Sequence, residues 1–371
     1  MAASGNKPTM QIDGEALVFF AFDIGFQVDL DAAEPLVKEA ARQRVVRARR
    51  PAPVWFDYSS PPLRLVVEGE AIAVGATTTR TSAEILVYDF GAALITYTMP
   101  LPTELGELPH LGAAIFGHQA LESDARRRVA AVLRAIGPAV ERPKLADAVE
   151  DYVVFAVRSW GHGPASDVVE SNLATLAQAI EAEPSGLSAE QVRRTTEATL
   201  SYAPSDLAIV DWNAAVLFDA EPEDVVSVLQ HANIELLELR VLDLELDAIL
   251  DHADETLSAL TSSRFWPVFA SSGMLRRFAS VQTDAAVMFE GVNNAIKLLG
   301  NQYLARLYRL AAMRLDLPAW QANVQRKLSA ADSLYQKLSD STSIKRLEVL
   351  EWVIIVLITV SIVLPLTPWY H

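Results

Sequence analysis

The hydrophobic pattern changes period along the chain. A continuous apolar run, Ala16 to Phe22 (ALVFFAF), opens the first half, and LRLVVEG, AIAVGATT and AEILVYDFGAALITYTMPL follow it, separated by turn residues and an Ala/Arg-rich helical stretch. Short β-branched and aromatic runs between Gly, Pro, Asp and Ser clusters read as strands. Residues 1–222 are therefore expected to form a mixed α/β (α+β) body, with Ala16 to Phe22 as its first buried strand.

From Val225 the period becomes helical. Val225, Leu229, Ala232, Leu236, Leu239, Asp243, Leu246, Leu250, Ala253, Leu257 and Leu260 alternate spacings of four and three, which is a heptad seam. Leu237, Val241, Leu242, Leu244 and Ile249 widen the stripe, so more than one neighbour is expected to pack on it. Asp243 is the charged intruder, a position that commonly sets register. Pro267 and Ser271-Ser272-Gly273 break the pattern, and a second helix is expected from about Leu275 to Met313 with Val292, Ile296, Leu299, Tyr303, Leu307 and Leu310 on its apolar face. Asp316 then reads as an N-cap with Pro318 in the first turn of a third helix carrying Trp320, Val324, Leu328, Ala331, Leu334 and Leu338. Residues 223–345 are thus expected to form an antiparallel helical bundle or coiled-coil stalk that self-associates into a homo-oligomer.

At the C-terminus the polar positions vanish. Trp352, Val353, Ile354, Ile355, Val356, Leu357, Ile358, Val360, Ile362, Val363 and Leu364 leave no polar face, and Trp369 and Tyr370 close the run. As a helix the segment would span ~28 Å, close to the ~30 Å of a bilayer core. The expectation is one C-terminal transmembrane helix within residues 346–371, inserted like a tail anchor. Lys345 and Arg346 ahead of it place the body on the cytoplasmic or equivalent side by the positive-inside bias. The short N-terminal apolar run follows Asp13 and Glu15 rather than positive charge, so it does not read as a signal peptide.

Composition narrows the chemistry. The chain of 371 residues is 51% hydrophobic, long and apolar enough for a folded core, and its net charge of −16 argues against general nucleic-acid binding. With no cysteine it has neither disulfides nor thiolate sites. The six histidines are scattered, and no phosphate-binding glycine loop, paired-His metal motif or nucleophile elbow occurs. The pattern points to no cofactor, metal or catalytic residue.

Two segments resemble each other: VYDFGAALI (Val87 to Ile95) and IVDWNAAVL (Ile209 to Leu217). Both read as strand, turn, strand, with Gly91 and Asn213 as turn residues. Asp89 and Asp211 are the carboxylates a hydrolase would use, although Asp is common in turns for its backbone hydrogen bonds. Lys38, Arg42, Arg44, Arg47, Arg49 and Arg50 form a local basic stretch, and Arg126, Arg127 and Arg128 a smaller one. Each fits a solvated helix face or a site for an acidic partner.

The order of ALVFFAFDIGFQVDL, AEILVYDFGAALITY, VVSVLQHANIELLELRVLDLELD and RLEVLEWVIIVLITVSIVL resembles the family named "required for meiotic nuclear division", built around a domain of unknown function. Arg346, Leu347 and Glu348 match its Arg-Leu-Glu-Trp ending, with an extra Val-Leu-Glu before Trp352. The resemblance implies a membrane-attached scaffold or assembly factor, and no catalytic residues. The functional expectation is a non-enzymatic, membrane-anchored scaffold that presents its α/β domain to partners. A membrane-tethered small-ligand sensor is the alternative, and a hydrolase using Asp89 and Asp211 the third reading.

Overall fold

The computed structural model describes residues 10–40, 45–46, 61–262, 281, 283, 285, 301–334 and 336. The chain divides into two compact units, Met1–Val241 with Val287–Trp320, and Leu242–Ala286 with Gln321–His371. The first is a mixed α/β body built on a large sheet.

Strand β1 (Asp13–Asp23) lies inside that sheet, antiparallel to β8 (Ala92–Pro100) on one side and β10 (Glu150–Ser159) on the other. Beyond β8 come β7 (Ser82–Val87), β4 (Leu63–Glu68) and β3 (Val45–Val46). Beyond β10 come β13 (Ala214–Phe218), β12 (Leu207–Val210) and β11 (Thr199–Leu200), and β10 pairs with β13 in parallel. Two small ribbons stand apart, β2 (Gln27–Val28) with β9 (Val140–Glu141), and β5 (Ala73–Val74) with β6 (Thr77–Thr78).

The apolar run of β1 has no polar alternation because both sheet faces are covered where it lies. Ala16, Val18, Phe20 and Phe22 join one core with Leu108, Leu111, Leu121, Val129, Val168 and Leu176. Those last six belong to α2 (Leu108–Ile115), α3 (Gln119–Ile136) and α4 (Ala165–Ile180), and α1 (Leu30–Ala40) adds Ala33 and Val37. The intervening Phe19 and Ala21, both fully buried, point to the opposite face. There α6 (Glu223–Ser262) and α7 (Gln302–Arg314) supply the cover, as Gln230 Nε2 donates to Thr96 Oγ1 at 3.2 Å and Arg314 Nε to the Val210 carbonyl at 3.4 Å. The short helix α5 (Ala189–Thr196) is capped by Ser188, whose hydroxyl accepts from Gln191 N at 3.1 Å.

The two resembling segments are hairpins of different length. Between β7 and β8 the Tyr88 amide bonds the Ala92 carbonyl, leaving Asp89-Phe90-Gly91 as the loop, with Gly91 at φ 95°. A Cβ there would lie 1.9 Å from the Gly25 carbonyl oxygen, so this turn requires glycine. Between β12 and β13 the Asp211 amide bonds the Ala214 carbonyl around Trp212-Asn213 alone, and Asn213 is not left-handed. One residue fewer reverses the faces after the turn. Ala93 joins the α1–α4 core, whereas the matching Ala215 does not and Ala214 does.

Helix α6 has 40 residues, about 60 Å at ~1.5 Å per residue. From Val225 to Leu239 every residue except Ser227 and Leu236 is buried, polar ones included. This half is an interior helix of the body, so the seam positions Val225, Leu229, Ala232 and Leu239 are used within the chain. In the second unit the buried positions narrow to Leu242, Leu246 and Ile249, with Leu250 half-buried. The side chains of Leu257 and Leu260 lie outside the described residues. The seam's Asp243 receives Lys327 Nζ at 2.7 Å and Asn323 Nδ2 at 2.7 Å from the helix at residues 317–334. Asp316 precedes that helix in a left-handed conformation, φ 55°, and its carbonyl accepts from Ala319 and Trp320.

Among the described residues no helix is long and apolar enough to cross a membrane. The expected single-pass anchor, and the cytoplasmic-side placement drawn from it, are corrected accordingly. The described helices spend their apolar residues on packing and keep charged residues along their length, as α6 does with Arg240, Asp243, Glu245, Asp247 and Asp251. The stretch from Trp352 to Tyr370 on which the anchor was read lies outside the described residues.

Candidate functional site

The face of the sheet that carries α6 is open over β4, β7, β8 and the start of β1. A cleft of about 880 Å³ lies there, floored by Leu17, Arg64, Val66, Ser82, Glu84, Thr96 and Thr98 and walled by Pro222 and the first two turns of α6, as far as Gln230. Strand alternation puts these floor residues on one side, since Ala83, Ile85, Tyr97 and Val18 enter the opposite core. The cleft's charges are organised in pairs. Arg64 Nη1 lies 3.1 Å from Glu84 Oε1, Arg80 pairs with Glu15, and Arg158 Nη2 meets Glu223 Oε1 at 2.9 Å. Arg158 also donates to the Ala220 carbonyl at 3.1 Å, which ties the end of β10 to the start of α6. Five carboxylates, Asp13, Glu15, Glu84, Glu223 and Asp224, line the cleft against three guanidiniums, so it carries excess negative charge.

The opposite end of the sheet gathers buried acids. Glu150 opens β10, is 7% exposed, and pairs with Arg240 of α6. Burial pushes its carboxyl up to about 7, against the pull of Arg240 and with the help of Asp151. Asp211 lies 3.6 Å from Arg314 of α7, and burial raises it to about 6 against that cation. The Tyr152 hydroxyl donates to the Asp211 carbonyl at 2.8 Å, so burial and the neighbouring Asp211 carboxylate hold the phenol well above its usual range.

Asp89 and Asp211 lie at this same end, and burial raises Asp89 as well. They are not brought together. The sheet order places β10 and β1 between their hairpins, three inter-strand spacings or roughly 14 Å. Nor is the arginine run a free basic patch. Arg126 donates to the Ala146 and Asp147 carbonyls at 2.8 and 2.7 Å, Arg128 is buried on Asp124, and Arg127, exposed, also reaches Asp124. The side chains of the basic stretch from Lys38 to Arg50 lie outside the described residues.

The cleft is not legible in the sequence, because its residues come from six separated segments and none forms a motif. The polar run inside α6 did leave a signal. Gln230, His231, Asn233, Glu235 and Glu238 interrupt an otherwise apolar helix and are all buried. His231 lies beside Tyr308 with ring centroids 6.4 Å apart and planes tilted by 50°, and the Tyr308 hydroxyl donates to Glu235 at 2.5 Å. Among the described residues no group of three or more His, Asp or Glu side chains is placed to hold a metal ion.

The family of the N-terminal domain of "Uncharacterized protein MJ0711" matches residues 13–224, more than half of the chain, and the chain belongs to that family. The match runs from the first residue of β1 to the second residue of α6. The protein of that name from Methanocaldococcus jannaschii is 20% identical over 224 residues, which cover 59% of this chain and 66%, just under two thirds, of that protein. No solved structure matches. The resemblance to the "required for meiotic nuclear division" family is therefore corrected: its carrying motifs are apolar strands and helices, which many folds share, and the matched family is a different one.

Proposed function

We propose that this member of the MJ0711 N-terminal-domain family is a non-enzymatic binding scaffold whose α/β body receives a positively charged ligand in the open cleft. The observation that carries the reading is the cleft itself, about 880 Å³, within the range of small-molecule sites. Its three guanidiniums already have carboxylate partners, and two further acids, Asp13 and Asp224, join the lining. An amine- or guanidinium-bearing ligand fits that balance better than an anion. The wall contributed by α6 gives occupancy a route into the protein, because the same helix continues into the second unit.

The test is a thermal-shift series on the full chain with a polyamine, a short oligoarginine peptide and matched dicarboxylates. Cationic probes should raise the melting temperature, since a ligand that binds only the folded state stabilises it by about 2.7 kcal/mol at 100 times its Kd. Asp13→Asn together with Glu84→Gln should weaken the effect. Equal shifts with anions, or none with any cation, would remove the proposal.

Self-association has its own support. Leu244, on the second half of α6, is 59% exposed between charged neighbours. Light scattering should give an oligomeric mass for the full chain and a smaller one for Leu244→Asp. A monomeric parent protein would end this reading while leaving the cleft untouched.

A further inference from the structure

Glu150 is the first residue of β10, and its side chain points to the sheet face covered by α6, because Val153, Phe155 and Val157 point to the other. It is 7% exposed, while its partner Arg240 is 47% exposed at the side chain, so about half of that side chain meets water and its field at the carboxylate is partly screened. Among the described residues the charged groups acting on Glu150 are Arg240 from α6 and Asp151 from its own strand. Asp151 in turn feels Glu122 from α3 and Arg240. β1, hydrogen-bonded alongside, presents apolar Ala21 opposite Glu150. Two carboxylates, Glu150 and Asp151, thus share one half-exposed guanidinium.

We propose that the packing of α6 onto this end of the sheet is a proton-coupled clamp, in which closing the helix over Glu150 takes up one proton at that carboxyl, so that the contact tightens in mild acid and loosens as Glu150 ionises. Burial raising the carboxyl to about 7 agrees with this direction. The neighbouring tie at Asp211 works differently. Arg314 of α7 is also held by Glu197 at 3.5 Å and by the carbonyls of Val210 and Arg194, so it keeps partners whichever form Asp211 takes. Glu150 has no such second tie to α6 among the hydrogen bonds and ion pairs described. The device therefore acts on α6, the helix that passes from the body into the second unit, and spares α7.

Hydrogen exchange on the full chain reads it, comparing peptides over residues 234–241 and 302–314 between pH 5 and 8 after correction for intrinsic exchange. The opening constant of the α6 peptide should rise with pH by on the order of 100-fold, as linkage through a carboxyl raised from 4.5 to about 7 requires, and level off above that. The α7 peptide should show a much smaller rise. Glu150→Gln should abolish the rise and hold the α6 peptide at pH 8 as closed as the parent at pH 5. Arg240→Gln is the second variant: loss of the one cation should carry the rise to higher pH. The clamp is overturned if the parent's α6 opening is flat or falls with pH, if Glu150→Gln keeps the parent's slope, or if Arg240→Gln leaves the rise in place or moves it lower.

Discussion

Replacing Arg128 by Met tests whether the arginine run at 126–128 holds the body together. Arg128 is 6% exposed; its Nε donates to Asp124 Oδ2 at 2.5 Å, and its Nη1 to the Val67 and Thr81 carbonyls at 3.0 and 3.4 Å. Its Nη2 reaches the Glu70 carbonyl at 3.4 Å, and the guanidinium lies 5.6 Å from the Tyr97 ring centroid. Methionine fills similar volume but leaves Asp124, 7% exposed, with the Tyr97 hydroxyl at 2.7 Å and the exposed Arg127 as its remaining partners. Breaking a buried pair from one side costs about 3–5 kcal/mol. Because Tyr97 and Arg127 remain, the lower end applies, about 3 kcal/mol. Removing the orphaned charge as well, in Asp124→Asn with Arg128→Met, should recover about half of the loss. Arg127→Ala, at a side chain 76% exposed, should change stability by less than about 0.5 kcal/mol. Urea unfolding at neutral pH followed by circular dichroism measures all three. A loss below about 1 kcal/mol in Arg128→Met, or an equal loss in Arg127→Ala, would refute the reasoning.

Three further outcomes follow from other parts of the structure. Asp211 has a folded-state pKa of about 6 against 3.8 for the free side chain, so the folded state holds its proton more tightly than the unfolded one. Its contribution is present below about pH 4 and is lost as pH rises toward 6; Asp211→Asn should remove up to about 3 kcal/mol of that decline in pH-dependent unfolding curves, and an unchanged slope counts against the burial argument. Gly112→Ala places a Cβ 2.4 Å from the Ala179 carbonyl oxygen, so α2 and α4 must separate, and a net loss of about 1–2 kcal/mol should appear in thermal melts despite alanine's better helix propensity; a stabilised variant would contradict the close approach. Lys327 bridges Asp243 at 2.7 Å and Asp247 at 2.6 Å, and Lys327→Met should raise hydrogen exchange in residues 317–334 severalfold, consistent with about 1 kcal/mol, whereas equal protection would make the bridge incidental.

The mixed α/β body was legible in the linear pattern, because strand runs such as Ala16 to Phe22 and a helical period from Val225 to Leu260 are local properties of the chain. The continuous hydrophobicity of that run marked it as a buried strand. What the pattern could not assign was the use of each apolar or charged position. A heptad stripe is the same whether it meets another chain or the chain's own sheet, and burial of α6 from Val225 to Leu239 was decided by the sheet beneath it. Consecutive arginines read as exposed charge until α3 turned Arg128 inward onto Asp124. The matching segments at Asp89 and Asp211 looked equivalent, yet one residue of loop length reversed their faces, and two intervening strands kept their carboxylates apart. The apolar C-terminal stretch displayed hydrophobicity without stating its environment, and among the described residues no membrane-spanning helix supports the one it suggested. The sequence alone determined which segments could be strands or helices; which side chains meet in the cleft, and which acids are buried enough to hold a proton, depended on strand order and helix cover that only the tertiary structure supplies.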